Sequence, residues 1–243
     1  MHMRPLSMQF MKFSVVQPLK TVFSKRMRKY RMNTFICRMG ICGGERILDL
    51  GGAPQFWDDC PVPLNITIMN LPGYNSLIPP VSRHTITILE GDACHVKLPA
   101  DNSFDIVFSN SVIEHVGDRL KRADMAKEVR RLAPLYWVQT PSIWFPVEAH
   151  CYMLFWWFYP EFVRRFFLRR WHNRLPAWTE MMMETTVVLK NELESLFPDA
   201  EIWTERKFGF TKSYVFYRRK AASELCKQEV LTVLNEGKVT NKA

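Results

Sequence analysis

The sequence predicts an α/β fold, a doubly wound and mostly parallel sheet with an N-terminal helix and an aromatic insertion over the strand ends. The first observation is a series of short apolar runs of the kind found in strands that are covered on both faces. The second is that helices or short connections separate these runs. The third is that an acid or amide ends four of them, where open parallel sheets bind ligands. These residues are Asp49, Asn70, Asp92 and Asn110.

Length and composition favour one large domain with additions. The chain has 243 residues, of which 47% are hydrophobic, and this is enough for a sizeable core. Its six cysteines form no C-x-x-C pair and no Cys–His spacing of a zinc site, so we expect free thiols and no metal. The longest uncharged aromatic run is too short to span a membrane. These features predict a cytoplasmic protein.

The basic residues are concentrated in residues 1–44. This segment has nine Lys and Arg and no acid, which leaves 24 of the 33 basic residues against 24 acids in the rest of the chain. Apolar residues at helical spacing predict a helix over residues 18–39. They are Val16, Leu19, Phe23, Met27 and Tyr30. The helix either packs this stripe on the domain, or contacts an anionic membrane surface or acidic partner, or is a mitochondrial presequence.

Residues 45–220 contain the predicted sheet. Strands are predicted at 47–50, 64–71, 84–89, 104–109 and 135–140, with an antiparallel pair at 200–206 and 213–217. A helix is predicted at 119–133, with Leu120, Ala123, Val129 and Leu132 facing inward, and another at 185–197. An aromatic insertion occupies about 143–184, and residues 221–243 form a C-terminal tail that we expect to be helical.

A glycine turn follows the first strand. Within residues 46–54, a short apolar run contains Asp49 and leads into Gly51 and Gly52. Glycine lets the backbone approach a ligand closely, and Asp49 supplies a charge where the chain leaves the sheet. The turn therefore indicates a ligand site at the carboxyl edge of the sheet.

Four strand ends, taken in order, resemble the class I S-adenosylmethionine-dependent methyltransferases, specifically the methyltransferase type 11 branch. Residues 47–52 (ILDLGG), 91–93 (GDA) and 98–116 carry this resemblance, and the last block is the most specific. The resemblance implies a Rossmann-like methyltransferase fold, an enzyme, and S-adenosylmethionine as its cofactor. It also implies the cofactor-binding residues, which are Asp49, Gly51, Gly52 and Ala53 at the methionine part, Asn70 at the ribose, Asp92 and Ala93 at the adenine, and Asn110.

Two departures from the family pattern concern this site. Ala53 and Gln55 replace glycines, and Asn70 replaces the acid that usually binds both ribose hydroxyls. Exchanging a charge-assisted hydrogen bond for a neutral one costs about 1 kcal/mol, or roughly fivefold in affinity. We therefore expect weakened rather than abolished cofactor binding.

Three other functions are alternatives to a methyltransferase of small molecules. A nicotinamide-dependent oxidoreductase requires G-x-G-x-x-G, which residues 51–56 lack. A nucleic-acid methyltransferase suits the basic N-terminus, but its amine-methylating branches carry Asn/Asp-Pro-Pro-aromatic where this chain has NSVI at 110–113. Nucleic acid is therefore not the expected partner. A non-catalytic module of the same fold, docking to a membrane or a protein, is consistent with the altered glycine turn and the basic helix.

The expected acceptor is a small apolar or lipid-like molecule, because residues 143–171 are rich in Trp, Phe and Tyr. The candidates for a general base are His115 and His150, for each of which a structural role is the alternative. Four arginines flank the aromatic residues near the end of this segment, at Arg164, Arg165, Arg169 and Arg170. Interleaved cationic and aromatic residues predict peripheral contact with an anionic membrane.

Overall fold

The computed structural model describes residues 17–73, 82–98, 103–148 and 150–220, with the backbone alone for residues 17–26. Seven strands form one sheet in the order β3-β2-β1-β4-β5-β7-β6. They are β1 Arg46–Leu50, β2 Asn65–Asn70, β3 Thr85–Glu90, β4 Ile106–Asn110, β5 Leu135–Pro141, β6 Glu201–Lys207 and β7 Phe210–Arg218. The first five are parallel, and β7 is antiparallel to both β5 and β6. This arrangement confirms the predicted doubly wound, mostly parallel sheet.

Helices cover both faces of the sheet. They are α1 Gln17–Met39, α2 Arg119–Leu132, α3 Glu161–His172, α4 Pro176–Glu184 and α5 Lys190–Leu196, with short 3-10 helices at Pro54–Asp59 and Trp156–Phe158. One hydrophobic cluster lies between the sheet and α1, and a second lies between the sheet, α2 and α5. The central strands are therefore buried on both sides, which explains their nearly continuous apolar sequences.

Helix α1 covers the face that the short β1–β2 connection leaves open. That connection contains only the 3-10 helix Pro54–Asp59. Met32, Phe35 and Ile36 are buried, and the Phe35 ring packs edge-on against Phe108 at 5.1 Å between centroids. Tyr30 belongs to the predicted apolar stripe, and its ring lies 6.1 Å from that of Trp203 on β6, measured between centroids. Its side chain is nevertheless 54% exposed, so the stripe is only partly covered at this position.

Two predicted helices differ from the observed ones. In α2, Leu120 and Ala123 are exposed, and Arg122 lies inward instead. Its guanidinium donates to the Gly117 carbonyl at 2.6 Å and to Glu192 Oε1 at 2.7 Å, so its burial is compensated. The helix predicted at 185–197 begins only at Lys190, because residues 185–189 are extended.

The chain between β5 and β6 forms a small cluster of its own, with Trp156, Trp178 and Met182 buried. Helix α3 buries no residue completely, and the side chains of Phe162 and Phe166 are 75% and 63% exposed. Within the described ranges, no helix has the length and apolar character needed to cross a membrane. The predicted C-terminal helix at 221–243 lies outside these ranges.

Four of the five cysteines in the described ranges follow the prediction. Cys37, Cys60, Cys94 and Cys151 are free thiols. Cys42 is disulfide-bonded, so the prediction of free thiols was wrong for this residue.

Candidate functional site

The turn after β1 requires glycine at two successive positions. Gly51 has a φ of +73°, and a Cβ there would lie 2.4 Å from Val112 Cγ2. A Cβ on Gly52 would lie 1.8 Å from Asp49 Oδ2. The Gly51 amide donates to the Met69 carbonyl at 2.8 Å, which ties the turn to the end of β2. The turn is therefore fixed by backbone geometry and by the space left beside Asp49.

Asp49 lies beneath this turn and is only 1% exposed. The indole Nε1 of Trp57 donates to its Oδ2 at 2.8 Å, whereas its Oδ1 has no hydrogen-bond partner among the described residues. Burial raises the pKa of Asp49 to about 7, although the bond from Trp57 acts in the opposite direction. Asp49 thus supports the turn, and one of its two buried oxygens is unpaired among the described residues.

The ends of β2 and β3 supply the next two predicted residues. The Asn70 amide donates to the Gly52 carbonyl at 3.1 Å, so Asn70 contacts the glycine turn directly. Asp92 is exposed, and its Oδ1 accepts from the Cys94 amide at 2.9 Å. Ala53 precedes the 3-10 helix Pro54–Asp59, and Ala93 packs against the second core cluster. The structure therefore joins Asn70 to the glycine turn and leaves the Asp92 carboxylate at the surface.

Asn110, at the end of β4, faces α1. Its Oδ1 accepts from Arg31 Nη1 at 3.0 Å, and Arg31 Nη2 donates to Glu205 Oε2 at 2.9 Å. Because Glu205 lies on β6, this single arginine joins the N-terminal helix to two strands. Nothing in the sequence near Asn110 indicates this contact, since Arg31 is 79 positions from Asn110 and 174 positions from Glu205 in the chain.

A cavity of about 790 Å³ lies next to the ends of β4, β5 and β7. Its walls are largely apolar, with Ile143, Phe145, Val147, Trp157, Phe208 and Phe210 among the lining residues. Ser111, Glu114, Gln139, Thr140 and His150 bring polar groups to the same cavity. A mainly apolar enclosure with a few convergent polar groups is typical of a site for a small molecule.

The two predicted histidines meet beside this cavity. His115 Nε2 and His150 Nε2 are 3.2 Å apart, although 35 positions separate them in sequence. His150 Nδ1 is 2.8 Å from Glu148 Oε1, and His115 Nδ1 is 3.1 Å from Thr185 Oγ1. The backbone amides of His150 and Cys151 donate to Glu148 Oε2 at 2.6 Å. His150 lines the cavity. His115 contacts the His150 ring and is not itself a lining residue.

The environments of the two histidines assign the proton between them. Burial, together with the charge of His150, lowers the pKa of His115 to about 4. Burial also lowers the pKa of His150, but the hydrogen bond and charge of Glu148 outweigh it and raise the pKa overall. The Thr185 hydroxyl donates to the Met181 carbonyl at 2.8 Å, so neutral His115 donates from Nδ1 to Thr185 and accepts at Nε2. The proton between the rings therefore belongs to His150.

Glu114 is a polar group of the cavity that sequence analysis did not select. Its side chain is 3% exposed, Thr140 Oγ1 donates to its Oε2 at 2.9 Å, and its Oε1 has no partner among the described residues. Burial raises the pKa of Glu114 to about 7, although the bond from Thr140 opposes this. A carboxyl group with a pKa near neutrality and one unpaired oxygen can accept a proton from a bound molecule. Its position directly before His115 was the available signal.

Known proteins give two kinds of match. A family model described as "Methyltransferase domain" matches residues 74–133, which include β3, β4 and α2 but not the glycine turn or Asn70. No curated protein matches the sequence.

The described part of the chain contains no group of three or more His, Cys, Asp or Glu placed to hold a metal ion.

Among solved structures, the fold is similar to that of magnesium protoporphyrin IX methyltransferase from Synechocystis PCC 6803 with bound SAH. The TM-score is 0.50 at 11% identity, covering 86% of this chain and 89% of that one. A possible exported protein from Bordetella parapertussis also has a TM-score of 0.50, at 10% identity, covering 86% and 76% of the two chains. The family match and the shared fold confirm the predicted resemblance to class I S-adenosylmethionine-dependent methyltransferases.

Proposed function

We propose that this chain is a class I S-adenosylmethionine-dependent methyltransferase. It transfers the methyl group of S-adenosylmethionine to a small, largely apolar or lipid-like molecule bound in the cavity. The observation that carries the proposal is the cavity itself, because it is mostly apolar and contains Glu114 and His150 beside the methyltransferase strand ends. Its volume of about 790 Å³ is in the range of sites for small molecules. Methyl transfer to such an acceptor would use both the strand ends, which would hold the cofactor, and the cavity.

The residues at the ends of β1 to β3 fit the cofactor. The glycine turn leaves no room for side chains, and the amide of Asn70 is engaged with Gly52, so its Oδ1 is the atom available to a ribose hydroxyl. We assign the exposed carboxylate of Asp92 to the adenine amine, and the unpaired Asp49 Oδ1 to a donor of the methionine part. Ala53, Ala93 and Asn110 would border the same groove. These assignments follow the family resemblance and the orientation of the unpaired atoms.

The acid–base residues would act on the acceptor. When bound, S-adenosylmethionine supplies a methyl group on a sulfonium, which a nucleophile displaces to leave S-adenosylhomocysteine. The chain aligns the acceptor, excludes water and takes a proton if the nucleophile carries one. We assign proton acceptance to Glu114, whose Oε1 is unpaired, and a positioning role to His150, which Glu148 and His115 hold in place.

An acceptor screen tests this proposal. The full chain is incubated with S-adenosylmethionine and panels of fatty acids, isoprenoids, phenols, free sugars and short peptides, and release of S-adenosylhomocysteine is measured. We expect turnover with apolar or amphipathic acceptors. Turnover confined to sugars or peptides would contradict the proposal, and no turnover by protein that binds S-adenosylhomocysteine would favour the non-catalytic alternative.

We also propose that the protein contacts anionic membranes peripherally. Phe162 and Phe166 are exposed on α3, and Arg169 and Arg170 are exposed in its last turn. Phe167 and Trp171, by contrast, pack against the cluster around Trp156, so one side of α3 is available to a bilayer and the other is not. The basic helix α1 contributes less than its composition suggests, because Arg31 and Arg38 contact Glu205 and Tyr217 within the fold.

Vesicle co-sedimentation tests this contact. Phe162→Ser combined with Phe166→Ser should reduce partition onto vesicles about tenfold, because two aromatic rings no longer enter the interface. Leu120→Ser is the matched control, since Leu120 is 76% exposed on α2, away from this surface. Arg169→Gln with Arg170→Gln should remove the preference for phosphatidylserine over phosphatidylcholine, at about 1 kcal/mol per charge. Equal loss in the Leu120 variant, or equal partition of the unaltered chain onto both vesicles, would contradict the contact.

A further inference from the structure

We propose that the cavity binds the acceptor's anionic group, a carboxylate or phosphate, at the end formed by α1 and the β6–β7 hairpin. This inference rests on the proposed function and narrows it, because the acceptor becomes an amphipathic anion rather than a neutral apolar molecule. Four basic residues carry the argument, all of which line the cavity. They are Arg28, Arg31, Lys207 and Lys212.

One buried carboxylate joins two of these cations. Arg31 Nη2 and Lys212 Nζ contact opposite oxygens of Glu205 at 2.9 and 3.2 Å, and the Glu205 side chain is 1% exposed. The Ser213 hydroxyl also donates to Glu205 Oε2. Both oxygens are therefore occupied by the network. Arg28, Arg31 and Lys212 give this wall three cations against the single carboxylate of Glu205.

The environment of Lys212 indicates that the excess charge is costly. Burial and then the charge of Arg31 lower the pKa of Lys212, although Glu205 acts in the opposite direction, and Lys207 adds a further repulsion. Like charges that share a partly desolvated wall repel one another more strongly than they would in water. An anion bound between them would reduce this repulsion and accept hydrogen bonds from several donors.

Other residues of the cavity have the complementary character. Glu114, Glu148 and His150 also line it, with Thr140 donating to Glu114. Apolar residues such as Phe145 and Trp157 also line the cavity. An elongated acceptor would therefore be oriented by charge, with its anionic group toward Lys212 and its reacting atom toward Glu114. A carboxylate or phosphate at the Glu114 side would meet carboxyl groups instead, which disfavours the reverse orientation.

The experiment compares probes that share an alkyl chain. Octanoate, octyl phosphate and 1-octanol are titrated into the full chain loaded with S-adenosylhomocysteine, at constant ionic strength. We expect the two anions to bind at least about tenfold more tightly than 1-octanol, since one favourable charged contact contributes about 1.4 kcal/mol or more. The relative affinities of octanoate and octyl phosphate then separate a carboxylate site from a phosphate site.

Surface variants locate the contact. Arg28→Gln with Lys207→Gln should remove most of the preference for anions, and this variant retains Arg31 and Lys212, the two cations that contact Glu205. Lys29→Gln with Arg206→Gln is the matched control, since each is an exposed neighbour in sequence that does not line the cavity. Thermal melts verify that both variants are folded.

Three results would overturn the inference. They are equal binding of octanol and octanoate, equal loss of preference in the control variant, and binding of octanoate only when S-adenosylhomocysteine is absent, which would locate the anion in the cofactor groove. Each of these is compatible with a functioning methyltransferase. Failure of the chain to bind S-adenosylhomocysteine would instead contradict the proposed function, and the anion titration of the unloaded chain would still test the subsite.

Discussion

The two halves of the sheet's carboxyl edge are built in different ways. At β1 to β3, the glycine turn, Asp49 and Asn70 are close in sequence, and the contacts of the turn involve its backbone, as in the bond from the Gly51 amide to the Met69 carbonyl across 18 positions. At β4 to β7, the contacts His115–Thr185 and Arg31–Glu205 span 70 and 174 positions, and side chains make them. A side-chain truncation should therefore disturb the long-range contacts of the second half, whereas the first half should be most sensitive at the two glycines, where any added Cβ collides.

The largest effect is expected at Gly51. Gly51→Ala should lower the free energy of unfolding by about 2–5 kcal/mol and abolish detectable S-adenosylhomocysteine binding, because it combines a left-handed φ with a collision at Val112. Gly40→Ala is the control, since Gly40 has a φ of +65° but nothing within 4 Å of the added Cβ. It should cost only about 1–2 kcal/mol. Urea unfolding and calorimetry measure both quantities, and equal effects of the two substitutions would show that crowding at the turn is unimportant.

The half at β4 to β7 is the one that we propose binds the acceptor, and we call it the acceptor half. Here Glu114→Gln should affect catalysis and leave cofactor binding intact. We expect kcat to fall about 100-fold if the acceptor must lose a proton, because the amide cannot accept one. In the unaltered chain, kcat should rise with pH through about 7 as Glu114 ionises, and this rise should be absent in the variant. Steady-state kinetics with an acceptor from the screen, between pH 5.5 and 8.5, gives both results. A variant that retains both the rate and the pH profile would remove Glu114 from the mechanism.

The half at β1 to β3 is the one that we propose binds the cofactor, and we call it the cofactor half. Its buried Asp49 should make the free energy of unfolding depend on pH. An acid whose pKa is raised by folding binds its proton more tightly in the folded state, so its stabilising effect is complete below the ordinary pKa near 4 and is lost as pH rises to about 7. Asp49→Asn does not titrate and keeps an acceptor for Trp57. We expect the variant to gain on the order of 2 kcal/mol relative to the unaltered chain between pH 5 and pH 8. Urea unfolding at both pH values measures this gain, and a pH-independent difference would contradict the assigned burial.

The same contrast explains what the sequence predicted and what it did not. The strands and the residues of the cofactor half follow from local patterns, namely apolar runs, glycines and the polar residue that ends each strand. The pairing of His115 with His150 and the network around Glu205 depend on how distant segments pack, which no local pattern records. For the Glu205 network, the sequence does hold a partial signal. Glu205 follows Trp203 by two positions along β6, so the two side chains lie on the same buried face, where an acid requires partners. The error at Leu120 arose because Arg122, with three acceptors available, displaced an apolar residue from the inner side of α2.

The smallest effect is expected at Asn70. The sequence alone suggests that Asn70→Asp would restore about fivefold in affinity through a charged bond to the ribose. The structure opposes this gain, because the substitution also removes the donor to the Gly52 carbonyl and places a carboxylate beside it. We therefore expect less than about a threefold change in S-adenosylhomocysteine affinity in either direction. A gain of fivefold or more by calorimetry would show that the Asn70–Gly52 bond contributes little.

Calorimetric titration of the full chain with S-adenosylhomocysteine tests the central claim most directly, because it depends on the cofactor half alone. We expect a one-to-one complex that Gly51→Ala abolishes and that Glu114→Gln leaves unchanged, since Glu114 belongs to the acceptor half. The absence of heat from folded protein at millimolar ligand, at two temperatures, would contradict the account. Equal loss of binding in both variants would show that the two halves are not separate sites.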